Sequence, residues 1–336
     1  MDATEAAKAR EHLLATEKTG KLIMKFAIPA MISFLVNALY NIVDQIFIGQ
    51  GVGMYGNAAT NVAFPFNTIC TALALLLGIG AASNFNLRLG AGKREEAGHV
   101  AGAGILLLAL CGTALSIAVF IFLKPLLYVF GTTDNVYPYA LAYTRIVTVG
   151  YPLVIFTIGS GQLIRADGSP TYSMICVLSG AILNIGLDAL FVFGFKMGIA
   201  GAAWATLLAT AVPVFVLARE ASQRGWLKGL VPDIDELRFT PRTPAGKPGL
   251  FGLDPIAARR MTRVGLPSGV ASVWFNVVYL LLYDVVEVAG GSAAQAGLYI
   301  GHLGEGVAFV TGLGWSAAAS SLVSRELGAG RPDAAG

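Results

Sequence analysis

Charged side chains are scarce in this sequence, at 13% of 336 residues, whereas 55% of the residues are hydrophobic. A soluble globular protein carries about a quarter charged residues, so a soluble enzyme of this length is excluded. Apolar stretches of about 20 residues, long enough to cross a bilayer, recur along the chain. We therefore predict an all-α membrane protein with about eight transmembrane helices, near residues 22–48, 55–86, 99–123, 137–163, 171–195, 199–219, 264–288 and 294–323.

Other familiar signals are missing as well. The three cysteines all fall within predicted spans and have no spacing typical of disulfides or zinc sites. Residues 1–21 are polar and contain no apolar core, so no cleavable signal peptide is predicted. No nucleophile–base pair and no metal cluster emerges, and no bound cofactor is predicted. A membrane enzyme is therefore the least favoured function.

The distribution of basic residues predicts the orientation in the membrane. Of the 23 lysines and arginines, Lys124 and Lys196 fall on one side and Arg145 falls within the fourth span. All the others fall on the opposite side, including Arg165, which is assigned to the connection after the fourth span. The positive-inside rule then predicts a multi-pass protein of the inner (cytoplasmic) membrane with both termini in the cytoplasm. The net charge of +3 reflects this topology and does not support binding of nucleic acid.

Two stretches of the chain, residues 29–98 and 267–336, repeat one pattern at a constant offset of 238 residues. Both open on a proline and approach their ends through a Leu-Gly-Ala-Gly motif. Six spans separate the two starts, so both copies enter the membrane in the same direction. We expect an axis along the membrane normal to relate them, as in secondary transporters whose binding site lies between two halves.

The repeat divides the chain into four parts. Residues 1–21 are predicted to be a cytosolic segment, residues 22–219 a six-helix N-lobe, residues 220–262 a proline-rich cytosolic linker, and residues 263–336 a partial C-lobe with two helices. Symmetry then leaves four helices unaccounted for. We expect a longer chain, or a separate partner chain, to supply them.

The first span carries a stripe of polar residues that lipid would leave unsatisfied. Asn37, Tyr40, Asn41 and Asp44 recur at the three- and four-residue spacing of one helical face. A buried ionisable residue costs about 2.5–3.5 kcal/mol at the middle of a membrane helix, so this stripe must face protein or water. A seam of hydrogen bonds between helices would explain it, but the carboxylate favours the lining of a cavity.

Further polar residues occur on the fifth and sixth spans. Asn184 and Asp188 share a helix face, as do Thr206 and Thr210. Carboxylate, amide and hydroxyl oxygens are hard ligands that suit a small alkali cation. Two neighbouring carboxylates can instead hold one proton between them near neutral pH. The same residues can therefore serve Na⁺ or H⁺, although periodicity does not show that the first and fifth spans touch.

The C-terminal part repeats the pattern of polar faces. On the seventh span Asn276, Tyr279 and Tyr283 lie on one face, and on the eighth His302 and Glu305 are neighbours three residues apart. We interpret these five residues, with Asn37, Tyr40 and Asn41, as the lining of a substrate cavity. Two ligands are too few for His302 and Glu305 to predict a metal site.

Several segments carry motifs in a fixed order along the chain. The motif Arg-Ala-x-Gly occurs within residues 163–174, Asn-x-x-x-Asp within 179–188 and Gly-Ala-Ala-x-Ala-Thr within 198–206. In type, order and spacing they resemble the motifs of the MATE (multidrug and toxic compound extrusion) transporters, and of the prokaryotic branch most closely. Residues 43–49 and 88–92 are similar to that family's first helix and to the loop after its second. The resemblance extends over nearly the whole chain.

The resemblance implies twelve helices in two six-helix lobes and efflux of organic cations in exchange for Na⁺ or H⁺. The family's cation site in the N-lobe maps onto Asp44, Asn184, Asp188 and Thr206, residues that the polar faces had already singled out. An acidic residue that some members carry deep in the seventh helix has no clear counterpart here, where Asn276 lies at mid-helix depth.

Three functions remain open at this point. The leading hypothesis is a cation-coupled antiporter that exports organic cations, drugs or metabolites across the lipid bilayer. A flippase of lipid-linked precursors is the alternative, but its cavity is expected to be rich in arginine and lysine. The predicted spans contain Arg145 and no interior lysine. An inactive or partial fragment of a transporter is the third.

Overall fold

The computed structural model describes residues 19–227 and 255–331. In the last helix it describes only some of the side chains. In these ranges every regular element is a helix, as predicted for an all-α membrane protein. The helices are α1 (Thr19–Gly51), α2 (Met54–Gly90), α3 (Arg94–Ile121), α4 (Leu123–Val129), α5 (Tyr137–Ala166), α6 (Pro170–Asp188), α7 (Ile199–Gln223) and α8 (Pro255–Gly328). A π-helical turn, Ala189–Gly194, continues α6.

Six of the helical segments of the described residues are long and apolar enough to cross a membrane, and they match the six predicted N-lobe spans. Their ends follow local chemistry. Helix α5 stops at the turn in which Gly168 adopts a φ of 85° and donates its N–H to the carbonyl of Arg165. Pro170 then begins α6, where its missing N–H costs no hydrogen bond.

Helix α8 doubles back on itself. A straight helix of its 74 residues would be about 111 Å long. Yet Gly265 packs against Leu76 of α2, and Gly328 packs against Leu87 of the same helix, about 16 Å further along. The helix therefore forms two legs. The prediction of two separate spans, 264–288 and 294–323, differs from the structure in that helical residues continue between them, where no proline interrupts residues 268–331.

The contacts between the two sequence repeats are reciprocal. Gly90 packs against the backbone of Arg325, and Gly328, its counterpart at the offset of 238, packs against the backbone of Leu87. Leu87 and Arg325 are themselves separated by 238 residues. Such exchange of partners is what a two-fold axis between two parallel copies produces.

The helices of the N-terminal bundle approach closely where glycines face each other. A Cβ atom added to Gly78 of α2 would lie 2.7 Å from the Cα atom of Gly159 on α5. Small residues at such crossings let membrane helices reach van der Waals contact along their backbones. Helix α1 packs against α6 and α8 rather than against α2, its neighbour in sequence. This arrangement brings the polar face of α1 to α6.

The crossing of α2 and α5 gives a first prediction. We expect Gly78→Ala to destabilise the folded protein by about 1–3 kcal/mol, because the added methyl group meets backbone that has no freedom to move aside. Thermal unfolding in a mild detergent, followed by tryptophan fluorescence, measures the change.

Gly186→Ala on α6 is the matched control, since no atom lies within 4 Å of the Cβ position there. We expect it to unfold at or slightly above the temperature of the unaltered protein, because alanine favours a helix by about 1 kcal/mol over glycine. Equal unfolding temperatures for the two variants would contradict the close crossing.

Candidate functional site

Two carboxylates meet inside the N-terminal bundle. Asp44 on α1 is 8% exposed, and Asp188, the last residue of α6, is 1% exposed. Their carboxyl groups face each other at hydrogen-bonding range, an approach that becomes a hydrogen bond once one of them carries a proton. Among the described residues, no donor reaches Oδ1 of Asp44 or either carboxylate oxygen of Asp188. The pair is therefore suited to accept a proton or a cation.

The other predicted ligands lie next to this pair or open on the cavity beside it. Asn184, one helical turn before Asp188, is 3% exposed, and both polar atoms of its amide are buried without a partner among the described residues. Thr206 on α7 faces the same cavity as Asn184. The hydroxyl of Thr210 donates to the carbonyl oxygen of Thr206 at 2.7 Å. Buried polar atoms normally have hydrogen-bond partners, so the unpartnered amide of Asn184 is an exception, and a bound cation would satisfy its oxygen.

A cavity of about 170 Å³ opens between α1, α5, α6 and α7. It lies beside the carboxylate pair, since its lining includes Tyr40 and Asn184, which are one helical turn before Asp44 and Asp188. Its wall is mixed in character. Apolar side chains include Val154, Ile158, Val177 and Leu217, and polar side chains include Ser33, Asn37, Tyr40, Gln162, Asn184 and Thr206.

The predicted polar stripe of α1 is divided in the structure. Asn37 and Tyr40 line the cavity, whereas Asn41 is exposed and donates its amide to the carbonyl oxygen of Asn37 at 2.7 Å. A helix turns about 100° per residue, which puts Asn41 on the opposite side of the stripe from Tyr40. The predicted lining residues of the C-terminal part, Asn276, Tyr279, Tyr283, His302 and Glu305, lie outside the side chains that the structure describes.

The assignment of Arg165 to a cytosolic connection was wrong. Arg165 lies in the last turn of α5, is 7% exposed, and lines the cavity. Its Nη1 atom donates to Oγ of Ser173 at 3.0 Å, and its guanidinium lies 6.0 Å from the ring centroid of Phe34. Counting charges between apolar stretches missed it, because the helix continues to Ala166 and turns the side chain inward. Gly168, a typical helix-ending residue, was the signal that could have corrected the boundary.

The turn between α5 and α6 is held in place by Arg224, just beyond α7. Arg224 forms ion pairs with Asp167 and with Glu220, the latter at 2.8 Å. Its Nη2 atom also donates to Oγ of Ser169 at 3.1 Å, and its guanidinium lies 5.3 Å from the ring centroid of Trp226. This network fixes the chain segment that directly follows Arg165.

The donor set of the site favours a hard monovalent ion or a proton. Among the side chains that the structure describes, no three from His, Cys, Asp or Glu cluster as they do around a transition metal. The site instead offers two carboxylates, an amide and a threonine, which are oxygen ligands.

Arg224 gives a second prediction. We expect Arg224→Ala to destabilise the protein by about 2 kcal/mol, between the values typical of exposed and of buried ion pairs, because Asp167 and Glu220 lose their shared cation. Thermal unfolding in detergent measures the effect. Arg219→Ala, at an exposed position on the same helix, should leave the unfolding temperature unchanged. Similar losses in both variants would show that the network has no special role.

Comparison with known proteins shows similarity to membrane transporters. The MatE family model matches residues 29–190. Over 333 residues the chain is 24% identical to an FAD transporter of Shewanella oneidensis, an alignment that covers 96% of this chain and 69% of that protein. Over 204 residues it is 28% identical to the multidrug export protein MepA of Staphylococcus saprophyticus, covering 60% of this chain and 45% of that protein.

Solved structures are also similar over nearly the whole chain. The crystal structure of a MATE protein in complex with MaD3S superposes with a TM-score of 0.82 at 26% sequence identity. The superposition covers 96% of this chain and 70% of that one. The chain thus spans only part of the length of these relatives, and less than half of MepA.

Proposed function

The chain belongs to the MATE family of transporters, and from this premise we propose that it is a cation-coupled antiporter. It exports organic cations, drugs or metabolites across the cytoplasmic membrane in exchange for Na⁺ or H⁺. The relative MepA is a multidrug export protein, which supports this substrate class. Both termini lie in the cytoplasm in this proposal, because the positive-inside rule orients the spans that way.

The contact between Asp44 and Asp188 carries the proposal. Two carboxylates that meet in a bundle of membrane helices repel each other unless a cation or a proton lies between them. Binding of the coupling ion therefore neutralises the pair, and its release restores the repulsion between α1 and α6. A change in the force between two helices beside the cavity is the kind of step that links ion binding to alternating access.

Among the two coupling ions, the unpartnered oxygens favour Na⁺. One proton satisfies the contact between the two carboxyl groups and leaves other buried acceptors, such as Oδ1 of Asn184, without a partner. A small cation gathers several oxygen ligands at once. We propose Asp44, Asn184, Asp188 and Thr206 as these ligands, with H⁺ as the outcome to be distinguished by experiment.

A flippase of lipid-linked precursors is the weaker candidate. Such a substrate carries a pyrophosphate, which calls for several cationic side chains. Arg165 is the one arginine or lysine that lines this cavity in the described part of the chain.

The proposed Na⁺ site predicts that the ion stabilises the purified protein. A ligand at one hundred times its dissociation constant raises the free energy of unfolding by about 2.7 kcal/mol. We expect NaCl, but not KCl of equal ionic strength, to raise the unfolding temperature. Asp44→Asn and Asp188→Asn should abolish the difference. If NaCl and KCl act alike while lower pH stabilises the unaltered protein, the site binds a proton instead.

The proposed coupling also predicts a defect in transport. In proteoliposomes with an imposed Na⁺ gradient, we expect Asp44→Asn to reduce efflux of a fluorescent organic cation at least tenfold, because an amide leaves the ion without one of its charged ligands. Asp134→Asn, at an exposed carboxylate between α4 and α5, should transport normally. Equal efflux by Asp44→Asn and the unaltered protein, at equal amounts in the membrane, would refute the coupling site.

A further inference from the structure

Arg165 is a buried cation without a matching anion. Its side chain contacts the hydroxyl of Ser173 and the ring of Phe34, and its Nε atom is buried with no partner among the described residues. No described carboxylate lies within ion-pair distance of it. Removing an arginine from water is costly unless a negative charge compensates it. Something other than the described side chains is therefore expected to supply that charge.

The acidic residues nearby are already engaged. Asp167, two residues after Arg165, and Glu220 both pair with Arg224. The carbonyl groups at the end of α5 supply part of the missing charge, equivalent to about half an electron for a whole helix. The guanidinium thus keeps a net positive charge, and it lines the cavity rather than the surface of the protein.

The cavity has two ends of opposite charge. Ser173 and Asn184 both line it from α6, and eleven residues of helix separate them by about 16 Å. The end with Asn184 adjoins the carboxylate pair, and the end with Ser173 adjoins Arg165. Between them the wall is largely apolar, with Val154, Ile158 and Val177. An occupant that suits this cavity carries an anionic group at the Arg165 end and an apolar body.

We propose that the Arg165 end of the cavity, formed by Arg165, Ser173 and Phe34, is a binding site for the phosphate or carboxylate group of an amphipathic anion. The guanidinium offers its unpaired Nε–H and a second N–H to two oxygens of that group, the geometry in which arginine recognises both anions. This site is distinct from the coupling pair, and binding there does not depend on transport. It widens the ligands of the cavity from organic cations to anions and zwitterions.

Binding of three eight-carbon probes tests this site directly. Octyl phosphate, octanoate and octyltrimethylammonium are titrated into the full chain in a nonionic detergent and followed by calorimetry. We expect the two anions to bind at least tenfold more tightly than the cation. Arg165→Gln should weaken anion binding at least tenfold, and Arg165→Lys should weaken it less, because the ammonium group keeps the charge but not the paired N–H groups. Arg145→Gln is the matched control, since Arg145 lies on the same helix and also stacks on a phenylalanine, Phe120.

A second variant covers the case in which Arg165→Gln fails to fold. Val177→Trp fills the cavity and leaves Arg165 and Ser173 in place, so it should abolish binding of octyl phosphate without removing a charge. Binding of octyl phosphate that survives both variants, or equal affinity for the anionic and cationic probes, would overturn the proposal. Stabilisation by Na⁺ is measured on the same samples, so loss of the anion site and loss of the coupling site are recorded separately.

The source of the anion is decided by native mass spectrometry of the purified protein. A lipid retained by the unaltered protein and by Arg145→Gln, but lost from Arg165→Gln, identifies a membrane lipid as the natural occupant. Binding of octyl phosphate without a retained lipid identifies a soluble amphiphile. Absence of both would contradict the site.

Discussion

The structure depends on one constraint, which is that hydrocarbon satisfies no polar group. Asp44 and Asp188 lie in helices that are apolar enough to cross a membrane, so their carboxylates must be turned toward protein. They are turned toward each other, which ties α1 to α6 although four helices, α2 to α5, lie between them in the chain. Helix α1 packs against α6 and α8 and has little contact with α2. The cavity follows from this pairing, because it lies where α1, α6 and their neighbours leave space beside the carboxylates.

Helices elsewhere in the structure pack closely, in contrast to the region around the carboxylates. Gly78 and Gly159 let α2 and α5 touch along their backbones, and the reciprocal contacts of Gly90 and Gly328 join the two sequence repeats. These crossings are filled by small residues and have no slack. The region around Asn184 differs from these crossings, because it contains buried polar atoms that lack hydrogen-bond partners among the described residues. Polar groups left unsatisfied in an otherwise well-packed bundle are characteristic of functional sites rather than of structural ones.

The two charged ends of the cavity give it a polarity that neither end has alone. A carboxylate pair attracts cations, and Arg165, held beside a turn that Arg224 fixes, attracts anions. Because about 16 Å of helix separates them, the two charges do not neutralise each other by direct contact. We expect these two ends to orient a ligand that carries both charges.

The sequence alone was sufficient for the helical membrane fold, the six N-lobe spans, the repeat and the grouping of Asp44, Asn184, Asp188 and Thr206 as polar faces. The length of the hydrophobic stretches and a period of 3.6 residues show the spans and their polar faces within each segment. The repeat follows from comparing two stretches of the sequence. Only the tertiary structure decided that Asp44 meets Asp188, that Asn41 faces outward, that Arg165 points into the cavity and that α8 reverses direction. Periodicity shows which residues share a face of one helix. It does not show which helix lies opposite that face, because the choice of neighbour depends on packing between segments that are far apart in the chain.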